Sequence, residues 1–128
     1  MRILFLGDVV GITGCLKIQK NLLDQIKKKK IDFVIVNAEN AAEEGVGLTK
    51  EICKDFFNSG VDVITTGNHV WDQKDIMNFI DKENRLLRPK NLFEPAPGNG
   101  FGVYTTKENI KIGAVSYTHL TLPTIMPV

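Results

Sequence analysis

The chain has 128 residues, 43% of them hydrophobic and 24% charged, with a formal net charge of +1. That is enough for one domain with one core, and too apolar for a disordered chain. The near-neutral balance supplies no global field to gather nucleic acid or an anionic membrane, so neither is expected as a partner.

Residues 2–7 read as a buried strand, followed by a loop containing Gly11 and Gly14. Leu16, Ile18, Leu22, Leu23 and Ile26 then recur at helical spacing. The basic block 27–30 reads as the solvated end of that helix, where cations suit the helix dipole. Residues 32–37 form a second buried strand, and 38–48 a loop with Gly45 and Gly47. Thr49 is a candidate N-cap for a helix through about Asn58, with Ile52, Phe56 and Phe57 inward and Gly60 at its stop. Residues 61–65 are a third strand, after which Asp72 could cap a short helix carrying Ile76, Met77, Phe79 and Ile80. Pro89, Pro95, Pro97, Gly98 and Gly100 make 84–100 irregular. Residues 101–105 and 110–115 read as two strands joined by a turn at 107–109. Alternating β and α elements followed by a hairpin predict an α/β fold, parallel at first.

Residues 115–128 stand apart, with no clear periodicity and two prolines near the end. Residues 115–120 also resemble the translation of a transposon end used in sequencing libraries. The domain is therefore read as residues 1–114 and the remainder as a non-native tail, from which His119 is not recruited as a ligand. Cys15 and Cys53 are far apart and form no CxxC pair, so reduced, partly buried thiols are expected. The N-terminus begins a strand at once, and no apolar run approaches the ~20 residues of a membrane span. A soluble cytoplasmic protein is the expectation.

Chemistry concentrates at three strand ends. Asp8 follows the run at 3–6, Glu39 and Asn40 follow 33–36, and Asn68 and His69 follow 61–64. If these runs are parallel neighbours, all five residues lie at the carboxyl edge of one sheet, where open α/β sheets bind ligands. A strand-end carboxylate is a common cation ligand. One carboxylate can bridge two cations, and amide oxygens complete a shell without adding charge. Gly67 would let the backbone approach a ligand closely. His69, beside a cation and a phosphate, can donate a proton to a leaving oxygen near neutral pH. No GxGxxG turn, P-loop or GxSxG element is present.

Several stretches carry a family resemblance. They are Gly7-Asp8-Val9-Val10-Gly11, Asn37-Ala38-Glu39-Asn40-Ala41-Ala42, Gly45-Val46-Gly47-Leu48-Thr49, Thr65-Thr66-Gly67-Asn68-His69-Val70-Trp71-Asp72, Leu86-Leu87-Arg88-Pro89 with Asn91, and Pro97-Gly98-Asn99-Gly100-Phe101-Gly102. Together they cover residues 1 to about 114 in order, and they resemble the calcineurin-like metallophosphoesterase superfamily, in particular its YmdB-type bacterial phosphodiesterases. The resemblance implies the N-terminal half of an α/β sandwich, two packed sheets flanked by helices. It implies a dinuclear metallohydrolase, usually described with iron, for which manganese and zinc also suit the ligand types. Asp8, Glu39, Asn40 and Asn68 would be its metal ligands, Glu39 bridging, and His69 its proton donor. Small phosphodiesters, including 2′,3′-cyclic nucleotides, would be the substrates.

Two features depart from that pattern. Cys15 stands where the branch often has a basic residue. The family also draws further histidine ligands from a C-terminal half, whereas His69 is the one histidine before residue 115. The resemblance therefore implies a fragment of weak metal affinity and low activity. Its uncovered apolar sheet surface would favour homo-oligomers or aggregation. The competing expectations are a non-catalytic module binding a nucleotide or partner, and a flavodoxin-like phosphate site at Gly11–Gly14.

Overall fold

The runs at 3–6, 33–37 and 63–65 become adjacent strands of one parallel sheet in the computed structural model, which describes residues 1–119. The elements are β1 (Ile3–Leu6), α1 (Gly11–Lys29), β2 (Phe33–Asn37), α2 (Lys50–Asn58), β3 (Val63–Thr65), β4 (Leu86–Leu87), β5 (Phe101–Thr105) and β6 (Lys111–Val115). Strand order is β1-β2-β3-β4, all parallel, while β5 and β6 form a separate antiparallel hairpin. The fold is α/β, as expected.

Register sorts the two faces of the sheet. Val34, Val36, Ile64 and Leu86 lie on the helix side and pack with Ile18 and Leu22 of α1 and Cys53 and Phe56 of α2. Phe33, Val63 and Leu87 point the other way and meet Ile112, Tyr104 and Ala114 of the hairpin. Phe56 is fully buried between layers; burying such a ring is worth about 1.5–3 kcal/mol. The layered plan places β2 and β3 at the centre, apolar on both faces, which is why they read as continuous hydrophobic runs.

Thr49 caps α2 as expected, its hydroxyl accepting from the Ile52 N–H at 3.3 Å. Past the C-terminal end of α2, Gly60 takes φ +101°. Lys27, Lys28 and Lys29 occupy the last turn of α1. Cys15 and Cys53 are buried and free. Burial pushes both thiols up, that of Cys53 to about 12, so neither behaves as a reactive thiolate.

Four expectations are corrected. The glycine-containing stretch after β1 is the first turn of α1, which starts at Gly11 and runs through Gly14. β1 is not buried: it is an edge strand, covered by α1 on one face only, and Ile3 and Phe5 are 47% and 59% exposed. The segment after Asp72 forms two short 3₁₀ turns, Lys74–Asn78 and Ile80–Lys82, without an aspartate cap, because the Asp72 carboxylate is engaged by His69. Within the stretch read as irregular, Leu86 and Leu87 pair with Ile64 and Thr65 as a fourth strand.

Of the stretch set apart at 115–128, Val115 ends β6, and the Ser116 hydroxyl donates to the Thr66 carbonyl at 2.6 Å. Residues 120–128 lie outside the described residues. No helix among the described residues is long and apolar enough to cross a membrane.

Candidate metal centre

Parallel pairing brings the ends of β1, β2 and β3 to one edge of the sheet, and the backbone after each strand continues the contact. Val9 N–H donates to the Asn37 carbonyl at 3.4 Å and Gly11 N–H to the Asn40 carbonyl at 2.9 Å, while Val10 and Asn40 form a parallel bridge. These bonds hold the Asp8 loop against the Glu39–Asn40 loop. On the other side Ala38 N–H donates to the Thr65 carbonyl at 3.0 Å. The third strand end then closes on Glu39, whose carboxylate accepts from the His69 N–H at 3.4 Å.

Gly67 shows how tight that closure is. A Cβ built at this position would collide with Oε1, Oε2 and Cδ of Glu39. The glycine is needed here for space rather than for a special φ.

Asp8 has φ +56°, a left-handed conformation that costs a non-glycine residue about 1–2 kcal/mol. Such strain persists where surrounding structure over-determines it and clusters at functional sites. Asp8 and Asn68 are exposed, while Glu39, Asn40 and His69 are half-buried. The Asn40 Oδ1 atom is buried and finds no hydrogen-bond partner among the described residues. A buried amide oxygen without a donor is costly, about 1–3 kcal/mol, and marks a place where a missing partner belongs.

Among the described residues no three His, Cys, Asp or Glu side chains converge. The donor set at this edge is instead mixed: the carboxylates of Asp8 and Glu39 and the amides of Asn40 and Asn68. These are hard oxygen donors, suited to iron, manganese or other oxygen-seeking cations. The orphaned Asn40 oxygen fits such a group, and the missing side chain at Gly67 is what admits the Glu39 carboxylate to the same edge.

Three contributors lie outside the five candidate site residues, although each stands in a stretch that carries the family resemblance. Asp72 accepts from His69 Nδ1 at 2.7 Å, which fixes the ring and leaves Nε2 as its free nitrogen. The signal is present in His69-Val70-Trp71-Asp72, an (i, i+3) pair, but an aspartate in that place reads equally well as a cap. Replacing Asp72 by asparagine is expected to lower kcat for phosphodiester hydrolysis by about 10-fold or more, the scale of lost orienting partners. KM should barely move; a raised KM at constant kcat would place Asp72 in substrate binding instead.

Gly47 is the second. It has φ +83°, its N–H donates to the Glu39 carbonyl, and its open face lies against Gln73. Gln73 in turn donates to the Val46 carbonyl at 3.1 Å, so the glycine loop is held against the Glu39 backbone. The third is Arg88, whose buried guanidinium donates to the carbonyls of Pro89, Ala96 and Pro97 and to the Glu94 carboxylate at 3.0–3.2 Å. It pins the loop that follows β4 at the same edge of the sheet.

Comparison with known proteins fits this architecture. The model of the YmdB-like protein family matches residues 4–122. The chain belongs to the YmdB-like family. Over 100 residues it is 48% identical to a 2′,3′-cyclic-nucleotide 2′-phosphodiesterase of Bacillus subtilis (strain 168), covering 78% of this chain and 38% of that protein. The crystal structure of a novel phosphatase from Mycoplasma pneumoniae superposes with a TM-score of 0.82 at 33% identity, covering 98% of this chain and 45% of its own. That of a hypothetical protein from Thermus thermophilus gives 0.83 at 33% identity, over 91% of this chain and 44% of its own. This YmdB-like chain thus spans less than half the length of these relatives. Two of these relatives are named as a phosphodiesterase and a phosphatase.

Proposed function

We propose that this chain carries one half of a dinuclear phosphodiesterase centre, with Asp8, Glu39, Asn40 and Asn68 as metal ligands and His69 as proton donor. The observation that supports it most is the buried Oδ1 of Asn40, which has no hydrogen-bond partner among the described residues. When bound, a pair of cations would supply Lewis acidity at the phosphate oxygens and an activated water. Glu39, whose carboxylate lies against Gly67 and the His69 N–H, would be the bridging ligand.

His69 protonates the departing ribose oxygen as the P–O ester bond breaks and the water oxygen bonds to phosphorus. With Nδ1–H held by Asp72, a ring that donates from Nε2 carries both protons, so the active form is the imidazolium. The expected substrates are small phosphodiesters, 2′,3′-cyclic nucleotides first, by likeness to the Bacillus subtilis relative.

Two carboxylates and two amides leave each cation with open positions, so affinity of this chain alone is expected to be weak. Iron is the first choice, with manganese and zinc compatible. Hydrolysis of 2′,3′-cyclic AMP should require added Fe²⁺ or Mn²⁺ and disappear with a chelator, and calorimetry should register cation binding. Hydrolysis indifferent to chelation, or no cation binding at millimolar concentration, would sink the proposal. A chain that binds the cyclic nucleotide without either would be the non-catalytic module.

A further inference from the structure

Hydrogen bonds join the segment after His69 to the segment after Glu39 at three places outside the proposed ligands. The Gln73 side-chain amide donates to the Val46 carbonyl at 3.1 Å and to the Glu44 carboxylate at 3.2 Å. Two residues on, the Asp75 carboxylate accepts from the Lys50 N–H at 3.2 Å, at the start of α2. The first two bonds use both protons of one amide nitrogen. Turned the other way, the amide would set its oxygen against a carbonyl and a carboxylate, so the network fixes which way Gln73 points.

The backbones meet as closely as the side chain does. Gly47 lies directly on residues 72 and 73: a Cβ there would stand 2.6 Å from Gln73 Cγ, 2.9 Å from Gln73 N and 3.3 Å from Asp72 Cβ. Gly47 also closes the 39–47 loop on itself, its N–H donating to the Glu39 carbonyl and its carbonyl accepting from the Ala42 N–H. The contacts form a ring. The Glu39 carboxylate accepts from the His69 N–H, the His69 ring bonds Asp72, Gln73 follows Asp72 and holds Val46, and Gly47 returns to the Glu39 backbone. Every link is backbone or a side chain already given a role, except that of Gln73.

We propose that Gln73 is a positioning residue for the centre. By clamping the 44–47 loop onto the turn that carries His69, its amide holds the Glu39 carboxylate and the His69 ring in one frame. The catalytic consequence rests on the phosphodiesterase reading above; the geometric one rests on the hydrogen bonds alone. A glutamate is aimed by where its backbone sits and by what its oxygens meet. When the backbone end drifts, the oxygen end loses the His69 N–H. An amide that only satisfied a surface carbonyl would matter to its own loop, whereas a clamp is felt at Glu39 and His69.

The test uses the full chain and three variants. Gln73→Met keeps the unbranched stem against Gly47 and removes both donors. Gln73→Lys keeps such a stem and supplies N–H donors again. Asp75→Ala cuts the neighbouring bond between the same two segments, at α2 rather than on the Glu39 loop. Amide exchange is read first, without added cation. In the methionine variant the Gly47 and His69 amides should exchange about 10-fold faster, with Val36 and Ile64 in the sheet unchanged. In the lysine and Asp75→Ala variants, Gly47 and His69 should stay within about 2-fold of the unaltered chain. With Mn²⁺ and 2′,3′-cyclic AMP, kcat of the methionine variant should fall about 10-fold at little-changed KM, the scale of a lost orienting partner, and the lysine variant should recover most of it. Unchanged exchange at Gly47 and His69 in the methionine variant overturns the proposal. So does faster exchange at Gly47 alone, which would confine Gln73 to its own loop. A lysine variant as impaired as methionine, or faster exchange at unaltered kcat, overturns it as well. If Gln73→Met does not fold, Gln73→Glu, of the same length and without a donor, takes its place. Absence of hydrolysis by the unaltered chain would count against the phosphodiesterase reading instead, and exchange would still decide whether Gln73 holds Glu39 against His69.

Discussion

Glu39→Gln is expected to reduce cation-dependent hydrolysis of 2′,3′-cyclic AMP by at least about 100-fold relative to the unaltered chain. The substitution keeps the size of the side chain and an oxygen able to accept the His69 N–H. It removes the negative charge through which one side chain can bridge two cations. Several kcal/mol of transition-state stabilisation attributed to metal ions then lose their anchor, and each 1.36 kcal/mol is tenfold in rate. Folding should be little affected, since the residue is half-buried and the hydrogen bond survives. The check is a rate measurement at saturating Mn²⁺ beside a urea midpoint. Undiminished hydrolysis in the glutamine variant would remove Glu39 from the centre.

Gly67→Ala is the complementary case, because it leaves every proposed ligand in place. The new methyl would occupy the space now filled by the Glu39 carboxylate. The obstacle is the end of a side chain rather than backbone, so the protein can yield by swinging Glu39 away. Stability should fall by only about 1 kcal/mol, at the low end of overpacking costs. Activity should fall by about 100-fold, the scale of an ångström-sized misplacement at a reacting centre. Cation affinity, read by calorimetry, should weaken in parallel. A variant that binds cations and hydrolyses normally would mean that Glu39 is not held in its working position by Gly67. Large unfolding would mean that the contact is chiefly structural.

The two substitutions separate charge from position, and both depend on a contact between residues distant in the chain. That dependence marks where the sequence stops being legible. Gly67 is recognisable as a place of close approach, yet what approaches it emerges only once β2 and β3 are side by side in register Asn37 to Thr65. Asp72 is visible three residues after His69, but an aspartate before a short apolar pattern has two uses, cap or partner. The turn at 67–72 settles that competition by bringing the carboxylate to Nδ1. Arg88 carries no signal of its role, because a buried arginine is recognised by the ring of carbonyls around it. β4 has two residues and no periodicity to detect.

What the sequence determined by itself is what local physics encodes. Apolar runs too short for a helix specified β1, β2 and β3, helical spacing specified α1 and α2, and a threonine with its following residues specified a cap. Because parallel strands separated by helices must run the same way, the polar residues after each run had to share one edge. That edge and its candidate residues, Asp8, Glu39, Asn40, Asn68 and His69, were legible before any coordinates. Tertiary structure decided how these groups meet: the glycine-sized gap around Glu39, the orphaned oxygen of Asn40, and the orientation of His69 by Asp72. It also decided that β1 stands at the rim with both faces apolar. An isolated strand reads the same at the centre of a sheet as at its edge, because hydrophobicity reports a side chain's preference for burial and not whether a neighbour is present to provide it.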